Sequence, residues 1–112
     1  MKKNPKIFLL HIVESITQID RYTKKLTKTK FLKNTQIQDA VIRRLEIIGE
    51  AVKNVSPEIR KRHSFIPWKK IAGSRDVLSH SYYDVDIELV WETVKKDIPR
   101  LKKEIQKILN AG

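Results

Sequence analysis

The sequence predicts an all-α protein folded as a compact bundle of four or five helices. Apolar residues recur in three long stretches at the 3.6-residue spacing of an amphipathic helix. Helix-starting signals stand before several segments, and no stretch alternates apolar and polar residues for long enough to form a strand. Since 112 residues leave no room for two hydrophobic cores, we expect one helical domain over residues 1–112.

Two long helices are predicted in the first half of the chain. The first covers residues from about 5 to 26, with Pro5 in its first turn, where a missing N–H costs nothing. One face of this helix carries Phe8, Ile12, Ser15, Ile16, Ile19 and Leu26. The second helix opens at Thr35, which forms a capping box with Gln38. Its apolar stripe consists of Ile37, Val41, Leu45, Ile48, Val52 and Val55.

Two short helices are predicted next. Ser56 is an N-cap and Pro57 a first-turn proline, so a short helix starts there and frays near Arg62. Pro67 starts the following helix in the same way, with Trp68 at its first turn.

A long last helix is predicted after Asp84 and Asp86, which provide an acidic start. Its apolar positions are Ile87, Val90, Trp91, Val94, Ile98, Leu101, Ile105 and Ile108. Pro99 lies within this stripe, and we expect it to kink the helix without ending it, because the stripe resumes in phase beyond it.

The composition narrows the classes of partner and site. The 24 Lys and Arg residues exceed the 13 Asp and Glu residues, and the net charge of +11 favours polyanions such as RNA or DNA. A lysine-rich proteome would give the same balance, so charge alone does not identify the partner. Few aromatic residues lie among the basic clusters, which argues against a base-stacking surface. The absence of Cys excludes disulfides, thiolate metal sites and Cys nucleophiles.

The sequence also predicts a cytoplasmic protein without a membrane partner, metal or cofactor. No stretch approaches the ~20 apolar residues of a membrane span. The apolar run 7–10 is interrupted by His11 and is too short for a signal peptide. His11, His63 and His80 do not stand at metal-ligand spacing.

The segment before the last helix concentrates side chains suited to cleaving RNA without a metal. His80 suits the role of general base or acid, because the ordinary pKa of an imidazole lies near neutral pH. The guanidinium of Arg75 can donate two hydrogen bonds to the oxygens of one phosphate. On a helix, Asp76 would lie four residues from His80 and could orient the imidazole. Arg75 and His80 are five residues apart, about 140° round a helix, so one copy is a poor catalytic pair. We therefore expect a homodimer in which two copies complete one site.

Other interpretations of these residues remain open from chemistry alone. Arg75 and Asp76 could be an ordinary surface ion pair, and His80 could be a surface or capping residue. Tyr82 could pack at a corner of the bundle. Whether Asp20, Arg43 and Glu46 line the same cleft is not decided by the sequence.

The pattern Arg75-x-x-x-x-His80-x-Tyr82 resembles the signature of the HEPN superfamily, and residues 35–51, 66–73 and 86–94 resemble blocks of HepT-like toxins. The resemblance implies an all-α, dimeric, metal-independent ribonuclease toxin of a type II toxin–antitoxin system. It further implies that Arg75 and His80 are the catalytic pair and that Asp76 is the supporting polar residue. The implied partner is a minimal nucleotidyltransferase antitoxin, which in some members adenylylates the motif tyrosine, here Tyr82. Whether the dimers join the antitoxin in a larger toxin–antitoxin complex is left open.

Two alternatives to an RNA endonuclease follow from the same residues. The first is a non-catalytic helical adaptor that docks a nucleotidyltransferase on the polar segment. The second is a basic RNA-binding bundle without chemistry, whose affinity would fall steeply with salt.

Overall fold

The computed structural model describes residues 6–72 and 86–111. The helices are α1 (Ile7–Thr23), α2 (Lys28–Leu32), α3 (Thr35–Asn54), α4 (Pro57–Arg62), α5 (described over 68–72), α6 (Ile87–Glu92) and α7 (Ile98–Asn110), with a π-helical turn at Thr93–Asp97. Within these two described ranges there is no strand, and the predicted all-α fold is confirmed.

The two long helices α1 and α3 form the centre of the bundle. Residues near the start of α1 share a cavity with residues near the end of α3, so the two helices run antiparallel. The buried face of α1 carries Leu9, Ile12, Ile16 and Ile19, and that of α3 carries Val41, Leu45, Ile48 and Val52. Both sets follow the apolar periodicity of the sequence, because the apolar faces of the two helices pack against each other and are thereby removed from water.

The segment between α1 and α3 contains a helix that the sequence analysis treated as a connection. Thr27 caps α2 by accepting a hydrogen bond from the N–H of Lys30 at 3.2 Å. Phe31, on this short helix, is fully buried and lies 5.1 Å from Trp91 between ring centroids. The burial of this one large side chain explains why a five-residue, lysine-rich helix is stable, since its own propensity is insufficient at this length.

The start of α3 differs in detail from the predicted capping box. The N-cap is Asn34, whose Oδ1 accepts a hydrogen bond from the N–H of Ile37 at 3.0 Å. Gln38 does not return to Thr35; its Nε2 donates to the carbonyls of Phe31 and Leu32 at 2.9 and 3.1 Å. Gln38 therefore bonds to carbonyl groups at the end of α2, of which that of Phe31 also accepts from the N–H of Asn34 at 3.1 Å.

The last predicted helix continues through Pro99, but by a specific local device. The N–H of Ile98 donates to the carbonyl of Thr93, five residues earlier, so the chain makes a π-helical turn before the proline. Pro99 then lies in the first turn of α7, where it needs no N–H. Val94, Ile98 and Leu101 remain buried across the turn, and the predicted stripe is confirmed.

Helix α7 closes the bundle against α1. Its inward face carries Ile98, Leu101, Ile105 and Ile108. Lys102 reaches Asp20 of α1, with 3.5 Å between Nζ and Oδ2. This contact assigns Asp20 to the joint between α1 and α7. No helix in the part of the chain that the structure describes is long and apolar enough to cross a membrane.

Candidate functional site

The predicted catalytic segment lies outside the described residues. Arg75, Asp76, His80 and Tyr82 all fall within 73–85, so their roles remain predictions. The structure does describe the two helices on either side of this segment, α5 and α6, and how each is attached to the core.

Helix α5 is anchored by a buried tryptophan. Trp68 is only 6% exposed, and its Nε1–H donates to the carbonyl of His63 at 3.0 Å. Ile66, immediately before Pro67, is also buried. The indole thus buries a large apolar area while its polar N–H is satisfied, which fixes the start of α5.

Helix α6 is anchored by a second tryptophan on the other side of the segment. Asp86 caps the helix by accepting a hydrogen bond from the N–H of Leu89 at 3.1 Å. Trp91 is buried against Phe31, and Lys95 Nζ lies 4.6 Å from the centroid of the Trp91 ring. Both ends between which the predicted catalytic segment runs are therefore attached to the hydrophobic core.

A cleft between α1 and α3 gathers further polar side chains. Its volume is about 250 Å³. The lining residues are Phe8, His11, Arg43, Glu46, Ile47, Glu50, Ala51 and Asn54. Two residues whose position the sequence left open, Arg43 and Glu46, thus lie in this cleft, whereas Asp20 lies at the α1–α7 joint.

The cleft combines an aromatic wall with charged groups of both signs. The rings of Phe8 and His11 stand edge to face, with centroids 5.9 Å apart. Arg43 Nη1 lies 3.6 Å from Oε2 of Glu46, an exposed ion pair of the kind that contributes at most about 1 kcal/mol. This arrangement offers donors, acceptors and a ring surface to a polar ligand. Among residues 6–72 and 86–111, no group of three His, Asp or Glu side chains is placed to hold a metal ion.

His11 also lines this cleft, although the sequence did not mark it as a candidate site residue. A signal for it exists in the sequence, because His11 interrupts the apolar run 7–10. That signal does not say what the imidazole faces. Its neighbours on α3 follow it by more than 30 residues and are brought to it only by the packing of α1 on α3.

The clear pKa shifts in the described residues belong to a surface pair on α6 and the π-helical turn. Oε2 of Glu92 lies 3.0 Å from Nζ of Lys96. The hydrogen bond from Lys96, together with its positive charge, lowers the pKa of Glu92, and the same contact raises the pKa of Lys96. Both groups are exposed, so this pair is a local feature of the helix surface.

Comparison with known proteins identifies the family. The family model described as ribonuclease HepT-like matches residues 12–108. The chain belongs to the HepT-like ribonuclease family. The resemblance seen in the three sequence blocks is therefore confirmed. The HepT-like match covers the α3 side of the α1–α3 cleft and the segment 73–85, whereas Phe8 and His11 precede the matched residues. The all-α architecture agrees with the HEPN-type fold expected for this family.

Individual relatives agree with this assignment. A Methanocaldococcus jannaschii protein named "Gamma-glutamylcyclotransferase and putative RNase" is 54% identical over 109 residues, which are 97% of this chain and 49% of that protein. The chain thus spans about half the length of this relative. A Caldanaerobacter subterraneus protein named "Putative RNase" is 43% identical, with 96% of each chain covered.

A third relative carries the HepT name itself. It is a Thermococcus cleftensis protein named "Probable ribonuclease HepT", 44% identical over 96% of this chain and 98% of its own length. No solved structure gives a significant match to the chain.

Proposed function

We propose that this HepT-like protein is an RNA endonuclease and the toxin of a type II toxin–antitoxin system, acting on cellular RNA in the cytoplasm. The observation that carries the proposal is the match of a ribonuclease family model to residues 12–108, a range that contains the motif Arg75-x-x-x-x-His80-x-Tyr82. The large positive net charge of +11 is consistent with a polyanionic substrate.

The proposed reaction is attack of a ribose 2′-hydroxyl on the adjacent phosphorus. His80 takes the hydroxyl proton, and the 2′-oxygen bonds to phosphorus. The bond from phosphorus to the 5′-oxygen breaks, and that oxygen takes a proton from a general acid. Arg75 stabilises the charge that develops on the phosphorane, and Asp76 orients the imidazole. The products are a 2′,3′-cyclic phosphate and a 5′-hydroxyl. Side chains supply every role, so the reaction needs no metal.

The spacing of the two principal residues supports an active site built from two copies of the chain. A helical Arg75 and His80 would point in directions about 140° apart, which makes the two side chains of a single copy a poor catalytic pair. Two copies related by a twofold axis place both pairs in one cleft. The imidazole of one copy and the guanidinium of the other then act on the same phosphate, and the protonated imidazole is the general acid that gives its proton to the 5′-oxygen.

The proposed partner is a minimal nucleotidyltransferase antitoxin that modifies Tyr82. In this step the phenol oxygen of Tyr82 bonds to the α-phosphorus of ATP, pyrophosphate leaves, and the phenol proton passes to solvent or a base. The added AMP places bulk and negative charge two residues from His80. It would therefore repel the RNA phosphate that the motif must bind.

The first experiment compares induced wild-type protein with His80→Ala, and with Gln106→Ala as a matched control on the exposed surface of α7. We expect wild type and Gln106→Ala to stop growth and to fragment RNA, and His80→Ala to do neither. Purified wild type should cut RNA equally well with and without EDTA. Mass spectrometry of the fragments should find 2′,3′-cyclic phosphate ends.

Two results would contradict the proposed reaction. Loss of cleavage in EDTA would show that a metal takes part. Unchanged toxicity and fragmentation in His80→Ala would exclude the imidazole from the chemistry. If instead neither wild type nor His80→Ala ever cut RNA and Tyr82→Phe abolished adenylylation, the chain would be a helical adaptor for the nucleotidyltransferase.

A further inference from the structure

The turn between α4 and α5 presents an aromatic side chain to solvent. Phe65 is 62% exposed, although the next residue, Ile66, is 3% exposed and Trp68 is 6% exposed. The chain in this turn places Ile66 and Trp68 in the core and leaves Phe65 outside it. The phenyl ring is therefore accessible to a ligand that stacks on it.

The turn holds Phe65 in a defined position. The N–H of Ile66 donates to the carbonyl of His63 at 3.1 Å, and the N–H of Trp68 donates to the carbonyl of Ile66 at 2.8 Å. The indole N–H of Trp68 donates to the same carbonyl of His63. Because this backbone is fixed on both sides of Phe65, a ligand that stacks on the ring has little loop entropy to remove.

A second ring stands beside Phe65. The imidazole of His63 lies 5.9 Å from the phenyl ring between centroids, at an interplanar angle of 79°. The two rings make an edge-to-face corner on the surface of the turn. A flat ligand can stack on one ring and meet the other at its edge.

The surroundings of this corner are basic. Residues 61–70 contain four Lys and Arg residues and no Asp or Glu. Arg62 is paired with Glu58 of α4 at 2.8 Å. Lys61, Lys69 and Lys70 are exposed and form no ion pair with any residue that the structure describes. We call Lys61, His63, Phe65, Lys69 and Lys70 the aromatic–basic patch.

We propose that the aromatic–basic patch binds single-stranded RNA outside the catalytic motif. This inference rests on the proposed function for its choice of RNA as ligand. One base stacks on Phe65, and the lysines contact the phosphates on either side, which is the combination used by proteins that hold single strands. The proposal departs from the sequence-based expectation against a base-stacking surface, because the fold leaves the ring of Phe65 exposed among these lysines.

The charge around Phe65 favours RNA over a protein partner. A protein groove or helix that docks on a phenyl ring requires a continuous apolar surface around it. Here the exposed residues nearest to Phe65 in the sequence are Ser64 and Pro67, and the lysines of the patch stand four or five residues away from it along the chain. A single aromatic ring among positively charged side chains is complementary to a nucleotide, because the ring stacks on the base and the charges contact the phosphates.

The test measures binding without cleavage. The full chain carrying His80→Ala is titrated into a fluorescein-labelled 12-nucleotide adenosine RNA, followed by anisotropy at several salt concentrations. A second probe has the same phosphates but abasic sugars. Phe65→Ala should weaken binding of the adenosine RNA about tenfold and leave binding of the abasic strand unchanged. Phe65→Trp should restore the affinity.

The lysines have a different expected signature. Lys69→Gln with Lys70→Gln should weaken binding of both probes and reduce the slope of log affinity against log salt by about 1.4, because each phosphate contact on a single strand contributes about 0.7. The matched control is Arg100→Gln with Lys103→Gln, which removes the same charge from the exposed surface of α7 and should change the slope less. Leu89→Ala, at a side chain 61% exposed, is the control for removing exposed apolar area.

The outcomes separate this inference from the proposed function. Equal RNA affinity of Phe65→Ala and its parent would overturn the inference, even if the enzyme cleaves RNA as proposed. If Phe65→Ala instead abolished self-association, the patch would be an interface between copies of the chain. Loss of base-dependent binding in Phe65→Ala would uphold the patch even if wild type proved unable to cut RNA.

Discussion

At the scale of single residues, Ser15 stands out among the buried hydroxyl groups. It is 1% exposed, and its Oγ has no hydrogen-bond partner among residues 6–72 and 86–111. In contrast, the hydroxyls of Thr17, Thr23 and Thr93 donate to the carbonyl four residues earlier, at 2.8–2.9 Å. The sequence placed Ser15 on the apolar face of α1 but could not show whether a partner lies opposite it.

Replacing this hydroxyl should be harmless or favourable to stability. Because a buried hydroxyl without a partner loses its bonds to water on folding, Ser15→Ala should leave the free energy of unfolding unchanged or raise it by about 1 kcal/mol. Urea denaturation followed by circular dichroism measures the difference. Thr23→Val, which removes a bonded hydroxyl, should cost about 0.5–1.5 kcal/mol. A comparable loss in Ser15→Ala would show that Ser15 has a partner within 73–85 or in another molecule.

Residue chemistry is also where sequence reasoning about the site was strongest. The residue types of Arg75, Asp76 and His80 suit an RNA-cleaving reaction but also a surface ion pair and a capping residue, and it was the resemblance to HepT-like toxins that favoured the first. The chain does belong to a ribonuclease family. Their geometry is not described, so the individual roles remain predictions. His11 was missed because its relevance depends on what α3 places opposite it.

At the scale of elements, the start of α3 shows how neighbouring residues compete for one role. Asn34 and Thr35 are both common N-cap residues, and Gln38 completes a capping box only with Thr35. The choice of Asn34 follows from α2, whose terminal carbonyls accept both hydrogens of the Gln38 amide. The contact of Gln38 with α2 therefore decided which residue is the N-cap of α3, a choice that the local sequence left open between Asn34 and Thr35.

Two substitutions test this boundary. Asn34→Ala removes the acceptor for the N–H of Ile37 and should lower the free energy of unfolding by about 1 kcal/mol. Thr35→Ala is the matched control and should change it by less than about 0.5 kcal/mol, because Thr35 is exposed within the first turn. Thermal and urea denaturation of the two variants measure the difference. The reverse order would assign the cap to Thr35.

The π-helical turn before Pro99 is a second feature decided at this scale. Helical periodicity predicted that the apolar stripe would cross the proline, and it does. A regular α-helix would bring the proline ring against the carbonyl of Lys95. The wider π-helical turn at Thr93–Asp97 connects α6 to α7, and Val94 and Ile98 stay buried across it. Periodicity shows that the helix continues, but it does not show by which backbone geometry.

At the scale of the whole molecule, the proposed active site needs two chains. This leads to a complementation experiment with Arg75→Ala and His80→Ala, each inactive by itself. After the two proteins are mixed and allowed to exchange subunits, mixed dimers contain one Arg75 and one His80 in the same cleft. We expect RNA cleavage to return in part, as measured with a fluorogenic RNA, and to rise as exchange proceeds.

Arg100→Ala mixed with His80→Ala is the control for the exchange itself. Arg100 lies on the exposed surface of α7, and its variant should be active alone, so mixing should only dilute its activity. Complete absence of recovery in the first mixture, despite mixed dimers detected by native mass spectrometry, would show that Arg75 and His80 act within one chain.

The sequence by itself determined the helical segments other than α2, the faces that the long helices bury and the family motif. Helical periodicity, first-turn prolines and caps act over a few residues, so they can be read without knowing the fold. Only the tertiary structure decided three other features. Asn34 is the N-cap of α3, His11 lines a cleft with charged residues of α3, and Phe65 stays outside the core. These features depend on which distant segments pack together, and that packing arises from the burial of all the stripes at once.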